Sequence, residues 1–166
     1  MILTFSTDVP IEQTMVFDKE CFHPNLQLDI DEKLEIFRDA YKAFLFVDDE
    51  IAGETFAVAA PKVGPLEGLD FLLKNTDVLW RPYRTAYVYS TAILPAYQGK
   101  GLSKILKAYL LGILKQVGMW HVIGHAREGA SLHLCEEFGG TKLVSFDDWY
   151  GTGERYWLYH MRMDNR

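Results

Sequence analysis

Residues 91–117 read TAILPAYQGKGLSKILKAYLLGILKQV, and the reading of this stretch decides the fold. It runs from an apolar strand end through a proline stop and a Gly-rich turn into a long amphipathic helix. The turn carries Gln98, Gly99, Lys100, Gly101, Leu102 and Ser103. Glycine lets a backbone come close to a ligand, and a helix start presents unpaired N–H groups at the positive end of its dipole. Strand, Gly-rich turn and helix N-terminus in that order make a phosphate cradle. Two common cradles do not match. A Walker loop using Gly99-Lys100 as its G-K pair would put Leu94 at its first glycine and Gly101 at its Ser/Thr. A dinucleotide fingerprint starting at Gly99 would put Lys104 at its third glycine. The pattern present is Q/R-x-x-G-x-G/A, filled by Gln98, Gly101 and Ser103.

Downstream, apolar or aromatic residues at 102, 105, 106, 109, 110, 113, 114 and 117 form the stripe of a helix packed on a sheet, which Gly118 ends. Trp120–His125 reads as the next strand, so a right-handed crossover with two parallel strands is expected. Residues 130–138 form a short helix closed by Gly139-Gly140. Thr141–Tyr150 and Arg155–Met163 then pair across Gly151-Thr152-Gly153-Glu154.

Upstream, Ile2–Phe5 reads as a first strand, and Asp8 as the N-cap of a helix over 9–20. His23-Pro24-Asn25 breaks that helix. Asp31 begins a second one, with Leu34, Phe37, Arg38 and Tyr41 near one face. Ala43–Val47 and Ile51–Ala60 make a hairpin across Asp48-Asp49-Glu50. Residues 61–83, with PKVGPLEGL and FLLKNTDVLW, read as a loop-rich excursion holding a short helix. Thr85–Leu94 is the strand that feeds the cradle.

A chain of 166 residues, 49% hydrophobic and 24% charged, fits one α/β domain over 1–166 with a real core. No apolar run approaches the roughly 20 residues that span a membrane, and MILTFSTDVP lacks the features of a signal peptide. Cys21 and Cys135 read as reduced thiols in a cytoplasm. Residues 1–54 carry 13 acidic and 4 basic side chains, and residues 55–166 carry 10 and 13. The basic half holds the cradle, as a polyphosphate ligand would require. The acidic half could attract a cationic amine, although a solvated helix surface explains it more simply. No Lys/Arg cluster interleaves with aromatics, so no nucleic-acid partner is expected.

Residues 85–163 resemble the acyl-coenzyme-A-binding half of the GNAT N-acetyltransferase superfamily. The resemblance is carried by AILPAYQGKGLSKIL, by the HVIGHA strand and by SLHLCEEFGG, which is similar to the family's A-x-x-L-Y-x-x-x-G-F helix end. Ser103 stands for the usual Gly/Ala, Ser131 for Ala, Cys135 for Tyr and Gly140 for Phe. The resemblance implies an α/β (α+β) fold with a twisted mixed sheet of about seven strands and about four helices. It also implies an enzyme that moves an acetyl group from acetyl-CoA to a primary amine of a small molecule or peptide, by direct attack in a ternary complex. Membrane partners are not expected, and a homodimer stays open.

Under that resemblance, backbone N–H groups of Gly99, Lys100, Gly101, Leu102 and Ser103 hold the pyrophosphate, with Lys100 and Lys104 adding charge. The pantetheine arm pairs with Thr91, Ala92 and Ile93, and a backbone N–H near Ile93 stabilises the oxyanion. An alkyl ammonium has a pKa of about 10, so the acceptor must lose a proton before attack. The glutamate that serves some relatives is replaced here by Tyr87. The candidates are Glu54, the nearest carboxylate by topology, and His121 and His125 on the next strand. A water chain is an equal alternative. Cys135 stands where the family's proton donor stands, but also reads as a small apolar packing residue. The hairpin aromatics Tyr150 and Tyr156 could reach the site too. A metal site is not expected, because His121 and His125, four strand positions apart, are separated by roughly 13 Å. The rival reading is a catalytically degenerate coenzyme-A-binding sensor.

Overall fold

In the computed structural model the described residues are 1–63, 68 and 82–163. Seven strands form one sheet in the order β1-β2-β3-β4-β5-β7-β6. They are β1 (Leu3–Ser6), β2 (Tyr41–Val47), β3 (Glu50–Ala59), β4 (Thr85–Ile93), β5 (His121–Arg127), β6 (Thr141–Phe146) and β7 (Tyr156–Arg162). Among the described residues there are four α-helices: α1 (Ile11–Cys21), α2 (Ile30–Arg38), α3 (Leu102–Gln116) and α4 (Ala130–Glu137). β4 and β5 are parallel, while β1–β2, β2–β3, β5–β7 and β6–β7 are antiparallel, so the sheet is mixed. No helix among the described residues is long and apolar enough to cross a membrane.

The chain divides into two compact units, Met1–Ala57 with Tyr89–Leu114, and Val58–Val88 with Lys115–Arg166. In the first unit, the β2–β3 hairpin turns through Asp48 and Asp49, both at positive φ, which short polar side chains tolerate. Alternation along β2 sends its side chains to two clusters. Ala43, Leu45 and Val47 pack with Ala52, Ile93, Leu102 and Leu106, so this cluster seats α3. Phe44 joins Phe37 and Phe56 in the other, with Tyr89 stacked on Phe56 at 5.5 Å. Gly53 admits α3 closely, since a Cβ there would lie 2.6 Å from Ile93 Cδ1 and 2.9 Å from Leu106 Cδ2. In the second unit, β5 pairs with β7 from His121↔Arg162 to Arg127↔Tyr156, around Ile123 and Leu158.

Several expectations change. Asp8 does not cap α1, which starts at Ile11 behind Pro10; the Asp8 N–H bonds the Ser6 hydroxyl instead. α2 begins before Asp31: Asp29 is its N-cap and closes a reciprocal capping box with Glu32. The buried face of α2 carries Lys33 and Phe37, while Leu34 is exposed. β6 stops at Phe146, so the β6–β7 connection runs from Asp147 to Arg155, longer than the four-residue turn read from sequence. α4 ends in a Schellman motif, with Gly140 N–H on the Cys135 carbonyl and Gly139 N–H on that of Glu136. A Cβ at Gly140 would lie 2.7 Å from the Cys135 oxygen, so the phenylalanine of the family pattern does not fit here. The short helix expected within 71–80 lies outside the described residues.

Candidate active site

The cradle lies in the first unit. Pro95–Tyr97 make one 3-10 turn after β4, Gln98 is extended, and α3 begins at Leu102. Gly99 and Gly101 sit at φ +75 and +73, where an L side chain is strained, and nothing lies within 4 Å of either Cβ position. The turn is therefore open to a ligand at the positive end of the α3 dipole, where the Lys104 N–H bonds the Gly101 carbonyl at 3.2 Å. A pyrophosphate fits such a helix start. The Gln98 amide reaches back to donate to the Ile93 carbonyl at 2.9 Å, tying the turn to the end of β4. The Cys21 thiol, from α1, donates to the same carbonyl at 3.6 Å. This oxygen thus already has two donors. Lys100 lies over the Tyr97 ring at 5.6 Å, and Tyr97 donates its hydroxyl to Glu50 at 2.7 Å.

Glu54 stands on β3, in the strand next to Thr91. The adjacent Thr55 hydroxyl donates to the Ser90 carbonyl at 2.7 Å and lies 2.9 Å from the Thr91 hydroxyl, while the Leu94 N–H bonds the Ala52 carbonyl. Glu54 is fully buried. Its Oε1 accepts from the Lys33 ammonium at 2.9 Å, and its Oε2 has no hydrogen-bond partner among the described residues. Burial pushes its carboxyl up to about 7, because the loss of hydration outweighs the pull of Lys33, and Asp18 adds to the rise. The Ser90 hydroxyl is the other buried oxygen without a partner among the described residues. Lys33 and Asp18 are functional candidates that sequence reasoning missed. The only available signal was a lysine four residues before an apolar Phe37 on a helix.

The remaining candidates belong to the second unit. His121 is buried on β5, its Nδ1 2.9 Å from Nε2 of His160. Burial, and then the neighbouring His121 and Arg162, push the His160 imidazole down to about 4. His125 is half-buried; its Nδ1 is 2.9 Å from the Tyr87 hydroxyl and its ring stacks on Trp149 at 4.4 Å. Trp149 also stacks on Tyr156 and meets Tyr150 edge-on. Asp148 and Tyr150, at φ +51 and +48, hold this loop in a conformation L residues seldom adopt. Cys135 is buried on α4 and hydrogen-bonds Tyr159 of β7, whose hydroxyl burial pushes well above its ordinary value. His121 and His125 thus stand apart along β5, each engaged by its own ring partner.

The family model for the acetyltransferase (GNAT) family matches residues 12–139, and the chain belongs to that family. It is an acetyltransferase that uses acetyl-CoA for acetyl transfer. Among solved structures it resembles the ribosomal-protein-S18-alanine N-acetyltransferase of Escherichia coli, with TM-score 0.74 at 15% identity over 99% of this chain and 96% of that one. It also resembles Ard1 from Thermoplasma volcanium, with TM-score 0.75 at 11% identity over 98% and 99% of the two chains. A third is yncA from Salmonella typhimurium, whose structure holds acetyl-CoA, with TM-score 0.70 at 14% identity over 100% and 96%. No curated protein matches the sequence.

Proposed function

We propose that the enzyme moves the acetyl group of acetyl-CoA directly to a primary amine of a small molecule or peptide, within a ternary complex. Glu54 is the proton acceptor. The observation that carries this reading is its buried carboxylate, one oxygen engaged by Lys33 and the other unpartnered, one strand away from Thr91. A base works best when its pKa is close to the working pH, and burial brings Glu54 to about 7. His121 and His125 support the role less well, since each already shares a ring nitrogen with His160 or Tyr87.

Acetyl-CoA supplies an activated thioester. The residues of this chain do the rest. Gly99 to Ser103 hold the pyrophosphate, Thr91 and Ala92 align the pantetheine arm, and a backbone N–H near Ile93 receives the charge that develops on the carbonyl oxygen. The acceptor ammonium gives its proton to Glu54. Because Glu54 is buried, the proton passes through water or through a hydroxyl such as that of Ser90 on the adjoining strand. The freed nitrogen lone pair forms the C–N bond at the thioester carbonyl. As the tetrahedral adduct collapses the C–S bond breaks, and the second proton of the now cationic nitrogen passes, directly or through water, to the departing coenzyme A thiolate, which needs no protein acid. Cys135 is then a packing residue.

A thiol-release assay tests the reading across polyamines, aminoglycosides, amino acids and peptide N-termini. The last belong in the panel because the similar Escherichia coli protein acts on an alanine of a ribosomal protein. At least one amine should be acetylated, and Glu54→Gln should lower kcat/KM for it by about 10² without changing acetyl-CoA affinity. Wild-type turnover in that variant would remove Glu54 from the role. Tight acetyl-CoA binding without turnover on any amine would favour a sensor.

A further inference from the structure

The ammonium of Lys33 is fully buried, and its three N–H donors meet three acceptors: the Thr14 carbonyl at 3.0 Å, Asp18 Oδ2 at 2.6 Å and Glu54 Oε1 at 2.9 Å. The Phe37 and Phe56 rings stand 5.3 and 5.9 Å from the same nitrogen. Asp18 is fixed in turn, since its Oδ1 accepts from the Leu28 N–H at 2.9 Å. The cluster therefore has one orientation, and it turns Glu54 so that Oε1 is spent on Lys33 and Oε2 is left over. A buried ion cluster of this kind is costly, and well-packed apolar residues of similar volume would often be at least as stable. Stability alone gives no reason for it.

We propose that Lys33 and Asp18 are positioning residues for the acetyl transfer, which fix the Glu54 carboxylate and divide one positive charge between two carboxyl groups so that Glu54 exchanges a proton. This rests on the reading of Glu54 as the proton acceptor. Paired with Lys33 alone, Glu54 would be drawn further toward its ionised form and would be a weaker base. With no cation at all, burial would keep it protonated and unable to accept. Asp18, 2.6 Å from the ammonium, offsets part of the pull of Lys33 on Glu54. The proton affinity of Glu54 settles between those limits, near neutrality.

Other groups packed around Glu54 do not supply this balance. From α1, the Cys21 thiol is pushed up to about 11 by burial and then by Glu20, Glu54 and Asp18, so it stays neutral. On β2 the register partner of Glu54 is Phe44; Lys42 of that strand donates to the Phe37 carbonyl at 2.9 Å. On β4 stand Ser90, a neutral hydroxyl, and Tyr89, whose phenol burial raises.

The two charges must act in opposite directions, which a merely structural role would not produce. In the pH profile of kcat/KM, Asp18→Asn should move the acid limb down by about one unit, because Lys33 then acts on Glu54 unopposed. Lys33→Met should move the same limb up by about as much. Glu54→Gln should remove the limb. Acetyl-CoA affinity, followed by calorimetry, should stay within about threefold in all three, since none of them touches the cradle. Limbs that do not move, or that move the same way in both variants, would overturn the proposal while leaving Glu54 as the base. An unchanged profile in Glu54→Gln would instead overturn the reading beneath it. If the charge variants fail to fold, carboxyl ¹³C titration of the wild-type enzyme decides. A resonance titrating near pH 7 and missing from Glu54→Gln supports the proposal, and its absence refutes it.

Discussion

Cys135 stands at a position where the family pattern has a tyrosine, and its surroundings argue for packing. It is buried on α4, its carbonyl receives the Gly140 N–H, and its thiol meets the Tyr159 hydroxyl. In the proposed mechanism the coenzyme A thiolate departs without a protein acid, so Cys135→Ala should leave turnover within about threefold; a loss of about 10² or more would instead assign the thiol an acid role. Glu54 was legible in sequence as the nearest carboxylate by topology, but its environment was not. Lys33 sits on a helix whose periodicity pointed Leu34 inward, and the structure buries Lys33 with Phe37 instead. A lysine reads as solvent-facing until the carboxylates of Asp18 and Glu54, 15 and 21 residues away in sequence, are known to converge on it.

The β4–turn–α3 element was the most legible part of the chain, because glycine spacing and apolar periodicity are both local properties. Gly99 and Gly101 meet the demand for φ above zero, and positions 102, 106, 110 and 114 are the buried line of α3. The wider apolar stripe was over-read, as Ile105, Tyr109 and Val117 stay exposed. Open space around Gly101 makes two substitutions separable. Gly101→Ala meets only backbone strain, and should cost less acetyl-CoA affinity than Gly101→Glu. The glutamate adds a carboxylate at the proposed pyrophosphate site and should weaken binding at least tenfold in calorimetry; equal affinity to wild type would refute the cradle. The β6–β7 connection was misread because the strand-like run through Trp149 and Tyr150 is broken by two residues at positive φ, Asp148 and Tyr150, which no propensity foretells.

At the scale of the whole molecule, two buried groups bend the stability profile in opposite directions. Glu54 binds its proton more tightly folded than unfolded, so its contribution is complete below about 4.5 and is lost as pH rises to about 7. His160 binds its proton less tightly folded than unfolded, so its contribution is complete above 6.5 and is lost as pH falls to about 4. The windows overlap and the signs oppose, so the two slopes offset each other in the wild-type melting temperature between about pH 4.5 and 6.5. Glu54→Gln should unmask a melting temperature that rises through this range, and His160→Asn one that falls. Parallel profiles for the two variants would contradict the opposed titrations.

The sequence by itself determined the element order, the Gly-rich turn before α3 and the family, because these rest on local spacing, on turn chemistry and on short motifs. Only the tertiary structure decided what surrounds Glu54. Asp18, Lys33 and Glu54 come from two helices and a strand, and their shared charge exists only once folding has removed water from all three at the same point.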